Sequence, residues 1–203
     1  TETGRYYLTP EGKRYPSATT VVGILNEKHI AKWIASVGAE KAEEVKRKAG
    51  EHGTRWHDLM ETTIKKGIQD VPWTKEFGTI YPLITKAVYP NISNVRAVEC
   101  QMYSDKLRMA GTVDLIADYK GKLSIIDWKT TRHEKMADEA ISYWCQTASY
   151  AYMAYERYGW KPKQLVLVFN ENDRDYYVYT QEVSRWVPRV YKLRKQYEKR
   201  YGF

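Results

Sequence analysis

The sequence predicts an α/β fold in which helices flank a mixed central sheet. Between residues 92 and 129, three runs rich in apolar and β-branched residues follow one another, which is typical of consecutive strands. Residues 165–169 form a continuous apolar run, as in a strand that is buried on both faces, and this run follows a long helical pattern. The expected order of the core is therefore α-β-β-β-α-β.

The first elements are predicted from turn and capping residues. Residues 5–15 are expected to form a small hairpin, because residues 10–13 have the composition of a turn. The hydroxyl groups of Ser17 and Thr19 can cap a helix that begins near Val21. A helix start of this composition also suits a phosphate, so both interpretations are open.

A strongly charged helical pattern then extends to about residue 66. Gly38, Gly50 and Gly53 interrupt it, and glycine weakens a helix, so separate helices are predicted at residues 26–37, 39–49 and 54–66. A further helix at residues 76–89 is expected to end at Pro90.

The second half of the chain alternates strands and helices. The predicted elements are strands near residues 92–103, 107–117 and 123–129, a helix near 136–158, and strands at 165–169 and 176–181. A basic helix at residues 184–201 closes the chain, with Ser184 as its N-cap and Pro188 tolerated in its first turn.

Two neighbouring strand segments carry the residues that indicate chemistry. Residues 111–117 contain Asp114, and residues 125–131 contain Asp127 and Lys129, with a Lys-Gly-Lys turn between the segments. Side chains alternate along a strand, so Asp127 and Lys129 share one face while Trp128 points to the other. A hairpin can bring Asp114 close to Asp127, and two converging carboxylates repel each other unless a cation lies between them. Such hard oxygen ligands favour Mg²⁺ or Mn²⁺.

This trio is what a metal-dependent phosphodiesterase needs. Lys129 would stabilise the negative charge that develops on the reacting phosphate, or orient and help deprotonate the attacking water. The alternative is that Asp114 and Asp127 are solubilising residues at strand ends and that Lys129 is an ordinary ion-pair partner. The apolar residues that lead into both aspartates favour the chemical interpretation.

These segments resemble the motifs of the PD-(D/E)XK nuclease superfamily, in particular its RecB-like exonuclease branch. The strings G-T-V-D, D-W-K-T and Q-T-A-S-Y stand in the order and spacing of that branch's G-x-x-D, D-x-K-T and Q-x-x-x-Y motifs. The string G-T-R-W-H at residues 53–57 is similar to its G-T-x-x-H helix. Within the branch, the sequence is most similar in style to the mitochondrial genome maintenance exonucleases and the small phage exonucleases. The resemblance spans roughly residues 16–169.

The resemblance implies a restriction-endonuclease-like core and a role for each matched residue. Asp114 and Asp127 would bind the divalent metal, and Lys129 would be the catalytic lysine. The metal shell would be completed by His57 and the backbone carbonyl of Trp128, with Glu99 as an acidic residue near the metal. The residues that would contact DNA are Gln146, Tyr150, Ser17, Thr19, Thr130 and Arg55. A structural role is the alternative for His57, Glu99, Gln146 and Tyr150.

The resemblance also implies how the chain is organised. A length of 203 residues suits one α/β domain, so residues 1–203 are expected to be a single nuclease domain. Within it, residues 1–90 would hold the hairpin and the helices that carry His57, residues 91–183 the catalytic sheet, and residues 184–203 the basic helix. In the exonucleases that the chain resembles, helices ahead of the core cover the path of single-stranded DNA.

Composition agrees with a nucleic-acid partner. The chain carries 33 Lys and Arg against 25 Asp and Glu, which gives a net charge of +8 and makes a polyanionic partner plausible. Its 18 Tyr and 7 Trp could stack on unpaired bases, although amphipathic core positions explain most tyrosines equally well. The expected partner is DNA, single-stranded or with free ends, and no protein partner is indicated.

Several classes of protein are not favoured. Cys100 and Cys145 are the only cysteines and lack C-x-x-C spacing, which argues against zinc, a disulfide framework and a four-cysteine iron-sulfur cluster. No run of apolar residues is long enough for a membrane span or a signal peptide. The expected location is the cytoplasm of a bacterium or a phage-infected host, or the mitochondrial matrix if a leader has been removed.

The resemblance, taken together with the charge and composition, implies an Mg²⁺- or Mn²⁺-dependent DNA exonuclease that prefers single strands and leaves 5′-phosphates. Two alternatives are open. One is a structure-specific endonuclease on the same core, and the other is a nucleic-acid-binding module without catalysis. The presence of both aspartates and the lysine disfavours the second alternative.

Overall fold

The computed structural model describes residues 4–71, 75–134 and 140–202. Two short 3-10 turns, Ile68–Asp70 and Tyr89–Asn91, accompany the regular elements. The helices and strands are, in chain order, β1 (Tyr6–Leu8), β2 (Arg14–Pro16), α1 (Ala18–Gly23), α2 (Glu27–Val37), α3 (Ala39–Lys66), α4 (Ile80–Ala87), β3 (Ile92–Ser104), β4 (Met109–Tyr119), β5 (Lys122–Thr131), α5 (Ile141–Tyr158), β6 (Gln164–Glu171), β7 (Asp175–Glu182) and α6 (Val183–Tyr201).

Strands β3 to β7 form one mixed sheet in the order β3-β4-β5-β6-β7. Strands β5 and β6 are parallel, because α5 connects them as a crossover, and the other neighbours are antiparallel. The mixed α/β fold is thereby confirmed. The first two strands form the separate N-terminal hairpin.

Helices cover both faces of the sheet, and the alternation along β5 shows why. Ile125 packs in a cluster with residues of α1, α5 and α6, such as Trp144. Its neighbour Ile126 packs on the other face with Trp56 of α3 and with residues of α4. Because both faces are covered, the middle of β6 is fully buried, as its continuous apolar run predicts.

The long helix α3 contradicts one prediction. Gly38 does end α2, since its φ of +85° suits a residue without a Cβ. Gly50 and Gly53, however, lie inside one continuous helix of 28 residues, so the predicted breaks there are wrong. A glycine in a helix interior costs only about 1 kcal/mol relative to alanine, and tertiary packing overrides a penalty of that size.

The ends of other elements also differ from the predictions. Helix α1 begins at Ala18 rather than near Val21, and Ser17 is its N-cap, with Oγ accepting a hydrogen bond from the Thr20 amide at 2.9 Å. Helix α6 begins at Val183, so Ser184 is not its N-cap, and Pro188 lies beyond the first turn. Helix α4 is shorter than predicted. The first residues of the helix predicted at 136–158 lie outside the described residues.

The turn between β6 and β7 has a sequence that explains its shape. Asn172 and Asp173 both have positive φ, at 51° and 59°, and the Arg174 amide donates to the Glu171 carbonyl. This is the conformation of a tight hairpin turn, which asparagine and aspartate tolerate better than most residues. In the described ranges, no helix has the length and apolar character that a membrane span requires.

Candidate active site

The β4–β5 hairpin brings the two predicted aspartates together. Its register pairs Leu115 with Ile126, so Asp114 and Asp127 are the next residues across the hairpin. The Asp114 carboxylate also accepts a hydrogen bond at 2.8 Å from the backbone amide of Trp128. The Trp128 side chain packs with Trp56 on the opposite face, as strand alternation predicts.

Asp127 and Lys129 share a face and form a buried ion pair. Lys129 Nζ lies 2.6 Å from Asp127 Oδ2, and the two side chains are 15% and 1% exposed. Beyond this contact, the Asp127 carboxylate has no hydrogen-bond partner among the residues that the structure describes. A buried carboxylate oxygen without a donor is costly and is suited to a cation.

Burial also sets the protonation of these groups. It raises the pKa of Asp127 to about 6, against the opposing effect of the Lys129 ammonium. It raises the pKa of Asp114 as well, although His57 and Lys129 counteract it. Burial alone would lower the pKa of Lys129, but Asp127 and Asp114 hold it above its ordinary value. Lys129 is therefore an ammonium group at neutral pH.

Helix α3 and strand β3 place two further potential ligands, His57 and Glu99, beside Asp114. His57 Nδ1 lies 3.4 Å from Asp114 Oδ2 and 3.8 Å from Glu99 Oε1. Burial lowers the pKa of His57, but the neighbouring Glu99 and Asp114 outweigh this effect and raise it overall. The three residues offer ligand atoms within 4.8 Å of one another, so they could hold a metal ion.

Glu99 reaches this cluster through an unusual backbone conformation. Its φ is +45°, which is rare for a residue with a side chain and is often found at functional sites. Its neighbours Val98 and Cys100 pack on different faces of the sheet, so the regular alternation of β3 is interrupted at Glu99. The interruption lies opposite Asp114, since Val98 pairs with Leu115 and Cys100 pairs with Val113.

This donor set fits a divalent cation. Carboxylate oxygens and one imidazole nitrogen are suitable ligands for such ions, and the buried Asp127 carboxylate lacks a hydrogen-bond donor. The nearest trio is His57, Glu99 and Asp114, whereas Asp127 is turned toward Lys129. The predicted metal roles of Asp127 and of the Trp128 carbonyl stay predictions.

A cavity of about 600 Å³ opens over the cluster. Eight residues with predicted roles line it. They are Ser17, Thr19, His57, Glu99, Asp114, Lys129, Gln146 and Tyr150. The residues that line the cavity therefore come from the N-terminal region, from strands β3, β4 and β5, and from α5, which lie far apart in the sequence.

Helix α5 presents Gln146 and Tyr150 to this cavity, and Gly111 makes room for the tyrosine. Gln146 Nε2 donates to the Tyr150 hydroxyl at 3.2 Å. A Cβ on Gly111 would lie 2.8 Å from Tyr150 Cε1, a distance that side chains essentially never adopt. The glycine of the G-T-V-D string is thus required by the close approach of the ring, a role that the sequence analysis did not assign.

Two predicted DNA-binding residues do not line this cavity. Arg55 makes a two-pronged ion pair with Glu76, with nitrogen–oxygen distances of 2.8 and 2.7 Å. Thr130 lines a neighbouring cavity on the other side of α3. The structure keeps both apart from the cluster, and their binding roles stay predictions.

The sequence analysis missed several residues of the cavity wall. Asp58 and Glu61 line it together with Thr54 and His57, which forms one stripe along α3 at helical spacings of three and four. That spacing from His57 was a signal that could have identified them. Arg5, Tyr7 and Thr112 also line the cavity, and only tertiary packing brings Arg5 and Tyr7 there.

The basic C-terminal helix α6 is partly engaged in structure. Arg194 is buried and its Nε donates to the Leu107 carbonyl at 2.8 Å. Arg200 forms an ion pair with Glu27 of α2. Arg194 is therefore a structural residue, whereas the exposed Arg200 pair contributes little and leaves Arg200 accessible to a phosphate backbone.

Comparisons with known proteins agree with this geometry. The family described as the PD-(D/E)XK nuclease superfamily matches residues 41–199. Mitochondrial genome maintenance exonuclease 1 of Homo sapiens is 26% identical over 114 residues, which cover 55% of this chain and 33% of that protein. The Mus musculus protein of the same name is 30% identical over 88 residues, or 41% of this chain and 25% of that protein. The matched part therefore spans a third or less of either relative.

Among solved structures, SSO0001 matches 89% of this chain over 74% of its own chain, at 14% identity and with a TM-score of 0.42. The match to the family model covers the part of α3 that carries His57, the hairpin with its two aspartates, and α5, and the family assignment rests on this match. Members of this family use divalent metals, and the His57, Glu99 and Asp114 cluster could hold one. The chain belongs to the PD-(D/E)XK nuclease superfamily.

Proposed function

We propose that the protein is a metal-dependent DNA exonuclease that acts on the ends of single strands and leaves 5′-phosphates. The observation that carries this proposal is the convergence of Asp114, Lys129, His57 and Glu99 at one open cavity, with the buried Asp127 carboxylate 2.6 Å from the Lys129 ammonium group. Buried carboxylates beside a buried ammonium are costly as pure structure, and a phosphodiester bound over a cation would use all of them.

We expect His57, Glu99, Asp114 and Asp127 to hold Mg²⁺ or Mn²⁺ from their oxygen atoms and one ring nitrogen. When bound, the cation supplies positive charge against the scissile phosphate and lowers the pKa of a coordinated water. Asp114 would keep its orientation during this chemistry, because the Trp128 amide already donates to its carboxylate.

Lys129 would act as a charged hydrogen-bond donor. The two aspartates hold it protonated, so it is poorly suited to accept a proton from water in this state. An ammonium group can instead stabilise the negative charge that develops on the phosphate oxygens and orient the attacking water. Asp127, 2.6 Å away, would keep the ammonium in position.

Several observations support DNA ends and single strands as the substrate. The net charge of +8 favours a polyanion. The relatives reported above are named exonucleases. The motif strings resemble those of exonucleases in which helices ahead of the core cover single-stranded DNA, and in this chain α2 and α3 precede the core in the sequence.

The test is digestion of linear and circular DNA, each in single- and double-stranded form, with and without Mg²⁺. The proposal expects metal-dependent loss of linear single strands, products with 5′-phosphates, and intact circles. Cleavage of single-stranded circles would identify an endonuclease on the same core. Binding without any cleavage in Mg²⁺ or Mn²⁺ would refute catalysis and favour a binding module.

A further inference from the structure

A second cavity lies on the other side of α3, and nothing in the proposed chemistry uses it. Its volume is about 420 Å³, and we call it the flanking pocket. Lys48 and His52 of α3 form one wall, Thr130 and Arg132 at the end of β5 form the second, and Asp173 of the β6–β7 turn forms the third. The pocket thus begins at the residue that directly follows Lys129.

The flanking pocket is lined by more positive than negative side chains, and some of its hydrogen-bond donors have no acceptor among the described residues. Arg132 has no ion-pair or hydrogen-bond partner in residues 4–71, 75–134 and 140–202, and neither does the Thr130 hydroxyl group. Lys48 contacts Glu44 at 2.7 Å, but the lysine side chain is 60% exposed. An exposed pair of this kind contributes little and exchanges easily for another anion.

Asp173 adds one negative charge to the wall of this pocket, and both of its carboxylate oxygens are engaged with neighbouring side chains. Oδ1 accepts a hydrogen bond from Asn170 Nδ2 at 2.7 Å, and Oδ2 lies 2.8 Å from His52 Nε2. Asn170 is fully buried, and its Oδ1 also accepts a hydrogen bond from the Asp173 backbone amide, so the Asp173 carboxylate is held in place. The arrangement fixes this wall of the pocket, and Arg132 and Lys48 outnumber Asp173 among the charged residues that line it.

The position of the pocket suits a nucleotide next to the reacting phosphate. Lys129 and Arg132 are three residues apart, and β5 ends at Thr131 between them, so their Cα atoms are at most about 10 Å apart at about 3.3 Å per residue. The cavity size lies within the ordinary range for small-ligand pockets, about 300 to 1,000 Å³. A guanidinium with an ammonium and a hydroxyl group is a typical set of donors for phosphate oxygens.

We propose that the flanking pocket binds a second phosphate of the DNA strand, next to the phosphate at the Lys129 site. This inference rests on the proposed function, because it takes the same strand as its ligand. The phosphate is either an internal diester or the terminal phosphate of the strand, since both present negatively charged non-bridging oxygens. Arg132 binds this second phosphate directly, and Lys48 and Thr130 are further donors. Arg132 does not take part in bond cleavage.

The test is binding of an internally labelled single-stranded oligonucleotide in EDTA, so that no cleavage occurs. Arg132→Gln and Lys48→Gln are compared with the parent and with Lys163→Gln. The control removes the same charge at the opposite end of the sheet, where Lys163 precedes β6.

We expect each pocket variant to weaken binding of the oligonucleotide about tenfold. The slope of log affinity against log salt should fall by about 0.7 for each lost contact. Circular dichroism and thermal melting confirm that the variants are folded.

Oligonucleotides with and without a terminal phosphate separate the two sources of the ligand. A loss on both identifies an internal phosphate, and a loss confined to the phosphorylated oligonucleotide identifies the strand end. Either result supports the flanking pocket. Pocket variants that behave like Lys163→Gln on both oligonucleotides overturn it.

A parallel cleavage assay keeps this inference separate from the nuclease proposal. The pocket variants should raise KM while leaving kcat near the parent value, because the Lys129 site is intact. If the parent binds DNA but never cleaves it, the nuclease proposal fails and the binding comparison still decides the pocket. If the parent cleaves and the pocket variants bind like the control, only the pocket fails.

Discussion

Asp127 and Lys129 face each other where water hardly reaches, and this environment changes what each group can do. The burial that raises the pKa of Asp127 also makes its ionised form dependent on a nearby positive charge. Lys129 provides that charge, and the neighbouring ligands offer a place for a second one. A buried ion pair of this kind often adds little to the free energy of unfolding, and its shifted pKa values are more typical of a functional site.

The role of Lys129 can be tested by Lys129→Ala. We expect the rate of DNA cleavage to fall at least about 100-fold, because the donor that stabilises the developing charge is lost. Binding of DNA should change little, since Lys129 is one cation among many. Gel-based cleavage and binding assays measure the two effects, and Lys122→Ala at the exposed start of β5 is the control. Cleavage at the parent rate would contradict the proposed mechanism.

The same substitution leaves Asp127 without its cation, so thermal melting of Lys129→Ala is measured in parallel. A folded variant that has lost cleavage supports the catalytic role. A variant that is unfolded at the assay temperature is assayed again at a lower temperature with Mg²⁺ present, where the parent serves as reference.

Metal binding through Asp127 should depend on pH, because burial raises the pKa of this carboxyl group to about 6. A cation binds the ionised carboxylate, and this form predominates above pH 6 and is lost below it. We therefore expect metal affinity to fall as the pH drops below 6, with release of protons on binding. Calorimetry of Mn²⁺ binding in buffers of different ionisation enthalpy measures both effects. An affinity that is unchanged between pH 7 and pH 5 would exclude Asp127 as a ligand.

At the scale of elements, α3 serves two faces at once. Trp56 packs against the sheet in the cluster that contains Trp128, while the next residue, His57, turns toward the cavity. Gly50 and Gly53 lie on the same helix beside the cavity, and a Cβ on Gly50 would meet nothing within 4 Å. The anchoring by Trp56 explains why the helix continues through two glycines.

Gly50→Ala should therefore stabilise the protein. Alanine is favoured over glycine in a helix interior by about 1 kcal/mol, which corresponds to a rise in Tm of about 2 to 4 °C for a chain of this size. Gly38→Ala is the matched control and should lower Tm, because the φ of +85° at Gly38 is strained for alanine. Thermal melting measures both variants. A lower Tm for Gly50→Ala would mean that α3 is not a continuous helix in solution.

At the scale of the whole molecule, the sheet carries the reacting groups and the helices close around them. Helix α5 packs on one face of the sheet, and its Gln146 and Tyr150 line the active-site cavity. Helix α3 packs on the other face, and its His57 lines the same cavity. Strand β3 adds Glu99 from the edge of the sheet. A cation held by His57, Glu99 and Asp114 would link α3 to strands β3 and β4.

Metal binding should consequently stabilise the entire fold. A ligand at 100 times its Kd adds about 2.7 kcal/mol to the free energy of unfolding, or about 5 to 11 °C in Tm for a chain of this size. Thermal melting in EDTA and in saturating Mn²⁺ measures the shift. Asp114→Asn should abolish most of it, because Asp114 belongs to the central trio. An equal shift in parent and variant would place the ion elsewhere.

The order of the elements and the central pair of residues could be predicted from the sequence, because both depend on local periodicity. Alternation along β5 put Asp127 and Lys129 on one face and Trp128 on the other, and the hairpin register then follows from the turn. The motif strings supplied the family and pointed to His57, Gln146 and Tyr150, which line the cavity.

Only the tertiary structure decided which ligands meet and in what environment. His57, Glu99 and Asp114 come from a helix and two strands, and the turn of Glu99 into the cluster depends on a positive φ that no local pattern indicates. The continuity of α3, the raised pKa of Asp127 and the walls of the flanking pocket depend on contacts between distant segments. Local periodicity determines how a segment is shaped, but exclusion of water and convergence of side chains arise only when the segments pack together.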